Sequence, residues 1–401
     1  MLAAFASCAK PAPQASAPRS NATKFHKLEE GPPDDAADRV SIVSLAKGAS
    51  VVSRTGELLL ENSAIRAIDG DPMSFWMGPP RDLPQSMVIA LPARSRIDKV
   101  GIRTDELLPA KHIQIDRSMD GRTFAPLLTI ESKAIPDPQW FDVASAEATL
   151  IRVTLVDRVA DGREPRLRSF LARGAELEPP HPGDLAGCWS VNDTRARFER
   201  HNASVTGTVA MRDNSTDLDG GFDGRTYRFN WVRGNDYGYA MFAVAPDAQT
   251  FSAIEWHEEA IPLFYGESWF GAHRPCSAPL PIASDIRERY LRRTGRFSLF
   301  GVRFRDDGSI DRDASAESLA WLAKFAARTP VQLVAHEFRQ PNAVANKQFA
   351  QRELDALRAE LQRAGVTNVT FVAKGSDAPR QQPINDTMRA IYSTVDVEIH
   401  R

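Results

Sequence analysis

The spacing of apolar residues changes near residue 280, and this change constrains the fold more than any other feature of the sequence. Before it, short apolar runs alternate with polar residues, as where Ile151, Val153 and Leu155 stand at every second position. Such alternation is typical of half-buried β-strands. After it, apolar residues such as Leu319 and Leu322 follow helical spacing. The sequence therefore predicts β domains followed by a domain of helices and strands.

Composition limits the class of protein. The chain has 401 residues, enough for two to three domains of ordinary size. It has 50 Lys and Arg against 52 Asp and Glu, a net charge of −2. This balance gives no support for binding through bulk positive charge, so we predict no nucleic-acid partner. No apolar run reaches the roughly 18 residues of a membrane-spanning helix, and three cysteines are too few for a disulfide scaffold.

The first residues combine small side chains with one cysteine. Residues 1–10 read MLAAFASCAK, so Cys8 follows a run of small residues. This stretch resembles the end of a bacterial lipoprotein signal, and the resemblance implies acylation of Cys8 and a lipid anchor in the outer membrane. The alternative is an ordinary start with an exposed thiol. Because residues 9–38 are rich in Pro, Ala and Ser, we interpret residues 1–38 as a signal remnant followed by a flexible tether.

Residues 39–178 contain short apolar runs separated by turn residues and predict an all-β sandwich. Five motifs occur in a characteristic order: LAKGASVVSR (Leu45–Arg54), AIDGDPMSFW (Ala67–Trp76), IQIDRSMDGRTFAPL (Ile113–Leu127), WFDV (Trp140–Val143) and LIRVTL (Leu150–Leu155). This order resembles discoidin domains, also called coagulation-factor C-type domains. The resemblance implies the galactose-binding jelly-roll fold.

The discoidin resemblance also implies ligands. Family members bind sugars or lipid headgroups through loops at one end of the sandwich, and many hold a structural calcium ion near an Asp-Gly loop. Asp69 and Asp71 occupy that loop here, and carboxylate oxygens suit this ion. The alternative is a plain turn. A glycan partner and a protein partner both stay open, because Phe75, Trp140 and Phe141 are typical core residues rather than an exposed sugar platform.

Residues 183–279 predict a second, smaller β domain, an antiparallel sheet or barrel that resembles no family we recognise. Cys188 and Cys276 stand near its two ends, and in an exported protein they would form a disulfide. His257, Glu259 and His273 are the candidate metal or catalytic residues of this domain. Zinc needs three or four converging ligands, and no HExxH spacing is present, so a hydrogen-bonded strand end is the plainer interpretation.

Residues 280–294 predict a charged helical connector, and residues 295–401 predict a two-layer α/β domain with the order βαβαββ. We expect a strand at 297–304, a helix capped by Ser315 and a helix at 346–364. The segments GRFSLFGVRF, SAESLAWLAKFA, VQLVAHEF and NKQFAQRELDALRAEL resemble the OmpA-like domain. That resemblance implies binding of bacterial peptidoglycan.

Two positions depart from the OmpA-like pattern. The family holds the diaminopimelate group of the wall with an Asp after the second strand and an Arg in the next helix, where this chain has Phe338 and Glu353. Glu337 and Arg352 lie one residue away, and Asn346 keeps its place. The arginines usual before the last strand are replaced by Ser393 and Thr394. Either Glu337 and Arg352 rebuild the site in a shifted register, or the domain contacts proteins only.

Together these patterns predict a non-catalytic envelope lipoprotein. Its discoidin-like domain would bind a glycan or a protein, and its OmpA-like domain would bind peptidoglycan or a protein. Two alternatives stay open, an enzyme or enzyme accessory that uses His257 and Glu259, and a degenerate scaffold for protein contacts. No cofactor is predicted apart from the candidate calcium ion at Asp69 and Asp71.

Overall fold

The computed structural model of the chain describes residues 41–79, 83–158, 164–211, 214–258, 267–377, 383 and 385–399. The first domain is built from six strands and three short 3-10 helices. The strands are β1 (Ser50–Arg54), β2 (Gln85–Thr104), β3 (His112–Ser118), β4 (Ala125–Glu131), β5 (Gln139–Leu155) and β6 (Leu167–Glu176). The 3-10 helices are Leu45–Lys47, Leu60–Asn62 and Ala64–Ala67.

Two long strands, β2 and β5, pass from one layer of this domain into the other. Residues 85–90 of β2 pair with β1 and with residues 150–155 of β5, and β3 and β4 extend that layer. Residues 95–104 of β2 pair with β6 and with residues 139–148 of β5 in the second layer. The register shifts between the two halves. Apolar side chains from both layers form one buried core, so the predicted β-sandwich is confirmed.

The second domain is a closed antiparallel barrel of eight strands. They are β7 (Gly187–Val191), β8 (Thr194–His201), β9 (Ser204–Ala210), β10 (Ser215–Phe222), β11 (Tyr227–Arg233), β12 (Asp236–Val244), β13 (Thr250–His257) and β14 (Ser268–Arg274). Alternate residues such as Phe229, Trp231 and Phe242 fill its interior. Closure pairs Arg274 with Cys188, and the predicted Cys188–Cys276 disulfide is confirmed. Of the two predicted forms, sheet or barrel, the chain adopts the barrel.

The third domain packs helices against a four-stranded sheet of order β15-β18-β16-β17. Its strands are β15 (Arg296–Ser298), β16 (Val331–His336), β17 (Val369–Gly375) and β18 (Thr394–Ile399). Its helices are α1 (Ile286–Thr294), α2 (Arg312–Ala326), α3 (Ala343–Arg363) and α4 (Asp386–Tyr392). Helices layered on a sheet match the expected layering, α1 lies within the predicted connector, and the OmpA-like family of this domain stays a prediction. The order βαβαββ is corrected by α4, a two-turn helix between the last two strands.

Two local predictions in this domain were wrong. The strand expected at 297–304 ends at Ser298, because the chain turns there and brings Phe300 against the barrel. A side chain on Gly221 would place its Cβ 2.0 Å from the carbonyl oxygen of Phe300, so this contact requires glycine. Helix α2 begins at Arg312 with Asp311 as its cap, while the Ser315 hydroxyl instead accepts a hydrogen bond from Arg303 N.

The three domains meet through buried polar contacts. Ser252 of the barrel accepts a hydrogen bond from Val51 N of the sandwich over 2.8 Å. Asn230 of the barrel donates to the Ser298 carbonyl over 2.8 Å. The hairpin between β10 and β11 lies beside both neighbouring domains, because Arg225 contacts Glu176 of the sandwich and Arg228 contacts Ala390 of the α/β domain. Within the described parts of the chain, no helix is both long and apolar enough to span a bilayer.

Candidate functional site

A cavity of about 520 Å³ lies where the β10–β11 hairpin meets the α/β domain. Four arginines line it: Arg225, Arg228, Arg303 and Arg339. The acidic residues in its wall are Asp223, Asp306 and Glu353. The remaining lining residues are Pro179, Pro180, Phe222, Gly224, Leu299, Phe300, Val302, Phe304, Ser393, Thr394 and Val395. This cavity has the volume and the convergent polar groups of a ligand site.

A tight turn presents the hairpin residues to the cavity. Asp223 Oδ1 accepts hydrogen bonds from the N–H groups of Arg225 and Thr226, over 2.9 and 2.8 Å. Gly224, which lies between Asp223 and Arg225, has a φ of +107°, and glycine adopts this angle without strain. A Cβ at Gly224 would also lie 3.2 Å from Arg303 Nη2. Glycine therefore permits the turn and leaves room for Arg303.

Arg228 joins the barrel to the α/β domain at the base of the cavity. Its Nη1 donates to the carbonyl oxygens of Ala390 and Ser393, over 2.8 and 3.2 Å. Its Nε lies 3.5 Å from Asp223 Oδ2. Burial raises the pKa of Asp223, but Arg228 and the turn N–H groups outweigh burial and hold that pKa below its usual value. Arg228 therefore acts mainly as a structural tie.

Arg339 and Glu337 form an ion pair in the cavity wall. Glu337 is fully buried and accepts from Arg339 Nε and Nη2, over 3.0 and 2.7 Å. The Ser393 hydroxyl donates to the same carboxylate over 3.1 Å. Burial opposes ionisation, but Arg339 outweighs it and lowers the pKa of Glu337. The Arg339 side chain is 43% exposed, so its guanidinium lines the cavity. The buried Glu337 carboxylate fixes its position.

Glu353 is the unusual acid of the site. It is 3% exposed, and its Oε2 has no hydrogen-bond partner among the described residues. Burial, then the neighbouring Glu337, raise its pKa to about 8. At neutral pH this carboxyl is therefore mostly protonated, so it can donate a hydrogen bond to an anionic oxygen instead of repelling it.

Arg303 has the least engaged guanidinium of the four. The residue is half-buried, and within the described structure no carboxylate lies within ion-pair distance of it. Because the other three arginines make ion pairs or carbonyl contacts, Arg303 supplies the unmatched positive charge of the cavity. An unpaired guanidinium is suited to clamp a carboxylate bidentately.

The structure separates the residues predicted for wall binding. Glu337 supports the cavity wall, but Arg352 does not line the cavity. The Arg352 side chain is exposed, and its Nε donates to the Asp307 carbonyl over 3.0 Å. Asn346 is buried and accepts from Gln340 N over 3.0 Å. A one-residue step on a helix turns the side chain by about 100°, which is why Glu353 faces the cavity and Arg352 does not.

Sequence reasoning missed the four arginines that line the cavity. Arg225 and Arg228 belong to the barrel, Arg303 follows β15, and Arg339 follows β16. Arg225 and Arg228 share one hairpin, but Arg303 and Arg339 stand in two other segments, so no motif of adjacent residues marks the set. The departures at Phe338 and Glu353 were the available signal, since they showed that this region differs from the resembled family.

The predicted calcium loop lies against the α/β domain. Asp69 and Asp71 are each 3% exposed. Asp69 Oδ2 accepts from Ser74 Oγ over 2.9 Å and from Arg66 Nη1 over 3.3 Å. Burial and the neighbouring Asp71 raise the pKa of Asp69 to about 7. Across the described residues, no group of three or more His, Cys, Asp or Glu side chains could hold a metal, and calcium at this loop stays a prediction.

The barrel does not bring His257 and His273 together. His257 ends β13, whereas His273 lies beside Gln249, just before that strand begins. The seven-residue strand rise between them is roughly 23 Å, so the two histidines stand at opposite ends of the barrel. His257 lies 3.9 Å from the buried Glu255. Glu259 and the predicted lipidation site Cys8 lie outside the described residues.

The half-buried aromatic rings of the sandwich are covered by arginines. Arg166 lies 4.4 Å from the ring centre of Phe75, and Arg173 lies 4.2 Å from that of Trp140. Trp140 also packs on Gly101. The large hydrophobic residues that are exposed in the described structure are all aliphatic or Met. An uncovered aromatic platform for a sugar ring is therefore not formed by Phe75 or Trp140.

Comparison with solved structures finds similar domains. One is the C-terminal domain of a chitobiase from Bacteroides fragilis, at 21% identity over 33% of this chain and 97% of that one, with a TM-score of 0.30. Another is CpGH89CBM32-5 from Clostridium perfringens in complex with GalNAc-β-1,3-galactose, at 18% identity over 32% and 96%, with a TM-score of 0.28.

A third similar structure is CBM32-3 from a family 31 glycoside hydrolase of Clostridium perfringens, at 15% identity over 35% of this chain and 98% of that one, with a TM-score of 0.31. Each likeness extends over about a third of this chain. No family model matches the sequence, and no curated protein matches it.

Proposed function

We propose that this chain is a non-catalytic binding protein of the bacterial envelope that holds a carboxylate-bearing glycan of the cell wall in the arginine-lined cavity. The observation that carries the proposal is that one cavity is lined both by Arg303, which has no acidic partner among the described residues, and by the buried Glu353, whose pKa is raised to about 8. Both groups donate hydrogen bonds, so both favour an anionic oxygen.

The cavity explains why the ligand is an acid rather than a neutral sugar. Arg225, Arg228 and Arg339 are matched by Glu176, Asp223 and Glu337, so Arg303 is the cavity arginine that lacks an acidic partner among the described residues and is available to an anionic ligand. Peptidoglycan strands carry carboxylates on their peptides, and they lie in the compartment where the resemblance to a lipoprotein signal would place this chain. In the barrel, His257 and His273 lie at opposite ends, so these two histidines do not share one site.

Calorimetric titration with a purified disaccharide tetrapeptide from peptidoglycan tests this function. We expect saturable binding by the full chain and a 10- to 100-fold weaker affinity for Arg303→Gln, because a hydrogen bond to a charged group contributes about 1.5–3 kcal/mol. Arg328→Gln is the matched control, since Arg328 is exposed at the end of α2 and away from the cavity lining. Equal affinity of Arg303→Gln and the native chain would refute the proposed site.

The lipid anchor is a separate part of the proposal. It rests on the small residues before Cys8 and on the Pro-rich segment after it. Metabolic labelling with a fatty acid in a Gram-negative host should label the native chain and leave Cys8→Ser unlabelled. Labelling of both chains, or of neither, would remove the anchor from the proposed function.

A further inference from the structure

A second cavity of about 450 Å³ adjoins the first. The two cavities share Asp223, Arg225 and Arg339 in their walls. The second cavity extends along the sandwich, where Lys47 and Glu176 line it, and Ala390 of α4 lines it as well. The two cavities are therefore neighbours, and the three residues that they share are all polar.

The charges where the two cavities meet already have partners. Arg225 makes two hydrogen bonds of 2.6 Å each to the Glu176 carboxylate. Arg339 is paired with Glu337, and Asp223 with Arg228. The residues that the two cavities share are polar, and their charges are already paired within the protein. They can form hydrogen bonds with a ligand, but they do not require the ligand to be charged at this point.

The unmatched charges stand in the two cavities on either side of this wall. Arg303 lines only the first cavity, and Lys47 lines only the second. Neither has an acidic side chain within ion-pair distance among the residues that the structure describes. Lys47 is held in place by its backbone, because its carbonyl accepts from Arg225 Nη1 over 3.4 Å.

We propose that the two cavities form one binding cleft for a linear acidic glycan strand, with one anionic group held by Arg303 and a second by Lys47. This inference rests on the proposed function and deepens it, because it makes the sandwich, the barrel and the α/β domain share one ligand. Once the first anionic group of a glycan strand is bound, the second group is held close to its own site. Its high effective concentration there raises the overall affinity of the strand.

Two probes of different length test the cleft. They are the disaccharide tetrapeptide and the glycosidically linked tetrasaccharide that carries two such peptides, each titrated calorimetrically into the full chain. We expect the tetrasaccharide to bind at least tenfold more tightly. Lys47→Gln should remove that gain and leave the affinity for the disaccharide within twofold. Lys324→Gln is the matched control, because Lys324 is exposed on α2.

The results of these titrations distinguish failure of the extended cleft from failure of the proposed function. If neither probe binds the native chain, the proposed function fails. If both bind with equal affinity, or if Lys47→Gln binds the tetrasaccharide as the native chain does, the site is confined to the first cavity and the extended cleft is overturned. Unchanged thermal unfolding of Lys47→Gln shows that a lost gain in affinity reflects binding rather than folding.

Discussion

Arg225 of the barrel and Glu176 of the sandwich are joined by two parallel hydrogen bonds, each 2.6 Å long. Arg225 lines both cavities, and this pair ties the sandwich to the barrel through residues that are 49 positions apart in sequence. The hydrogen bonds that Arg225 donates to Glu176 raise the pKa of the Arg225 guanidinium. The geometry is the bidentate arrangement that arginine forms with a carboxylate.

We expect Arg225→Lys to destabilise the sandwich–barrel contact almost as much as Arg225→Gln, because an ammonium cannot make the two parallel bonds. The two side chains are 35% and 25% exposed, so solvent screens the pair and the loss is about 1 kcal/mol. Urea unfolding measures it. Arg96→Gln is the control, since its pair with Asp98 is 48% and 41% exposed and contributes less. Full stability of Arg225→Lys would contradict the bidentate account.

Replacing both Cys188 and Cys276 by Ser should lower the free energy of unfolding by about 4 kcal/mol in the chain-entropy account, because the disulfide closes a long loop. The two cysteines are 88 residues apart in sequence. Urea unfolding without reductant measures the loss, and Cys8→Ser serves as the control. If the double variant is as stable as the native chain, the disulfide does not constrain the unfolded barrel.

Glu353 should make the protein less stable as the pH rises from about 5 to about 8. Its pKa is about 8 in the folded chain against an ordinary value of 4.5. The folded state therefore holds an extra proton in this range, and raising the pH removes the stability that this proton contributes. Glu353→Gln mimics the protonated acid. Urea unfolding gives the free energy of unfolding of the variant minus that of the native chain. We expect this difference to be about 1–3 kcal/mol larger at pH 8 than at pH 5.

Other buried acids also titrate in this range, including Glu255 and Asp69, whose pKa values are raised to about 7 by burial first of all. These acids contribute equally to the pH dependence of the native chain and of Glu353→Gln. Subtracting the two free energies of unfolding therefore cancels their contribution. A difference that does not change with pH would show that Glu353 is ionised in the folded chain, and the cavity would then lose one of its two proposed donors.

Local patterns predicted the domain order because they depend on neighbours in sequence. Alternation at Ile151, Val153 and Leu155 marks a strand whichever sheet receives it. The end of the strand at Ser298 was not predictable in this way. It depends on Gly221, a residue of another domain whose missing side chain lets Phe300 approach. Helix α4 was missed for a similar reason, since its seven residues form too short a pattern to stand out.

The sequence by itself determined the succession of β domains and an α/β domain, and it placed Cys188 and Cys276 at the two ends of the barrel. It also marked Phe338 and Glu353 as departures from the resembled family. Only the tertiary structure decided that Arg225, Arg228, Arg303 and Arg339 share one cavity. The physical reason is that secondary structure follows periodicity over a few residues, whereas a charged cavity depends on how separate domains pack, and no local pattern encodes that packing.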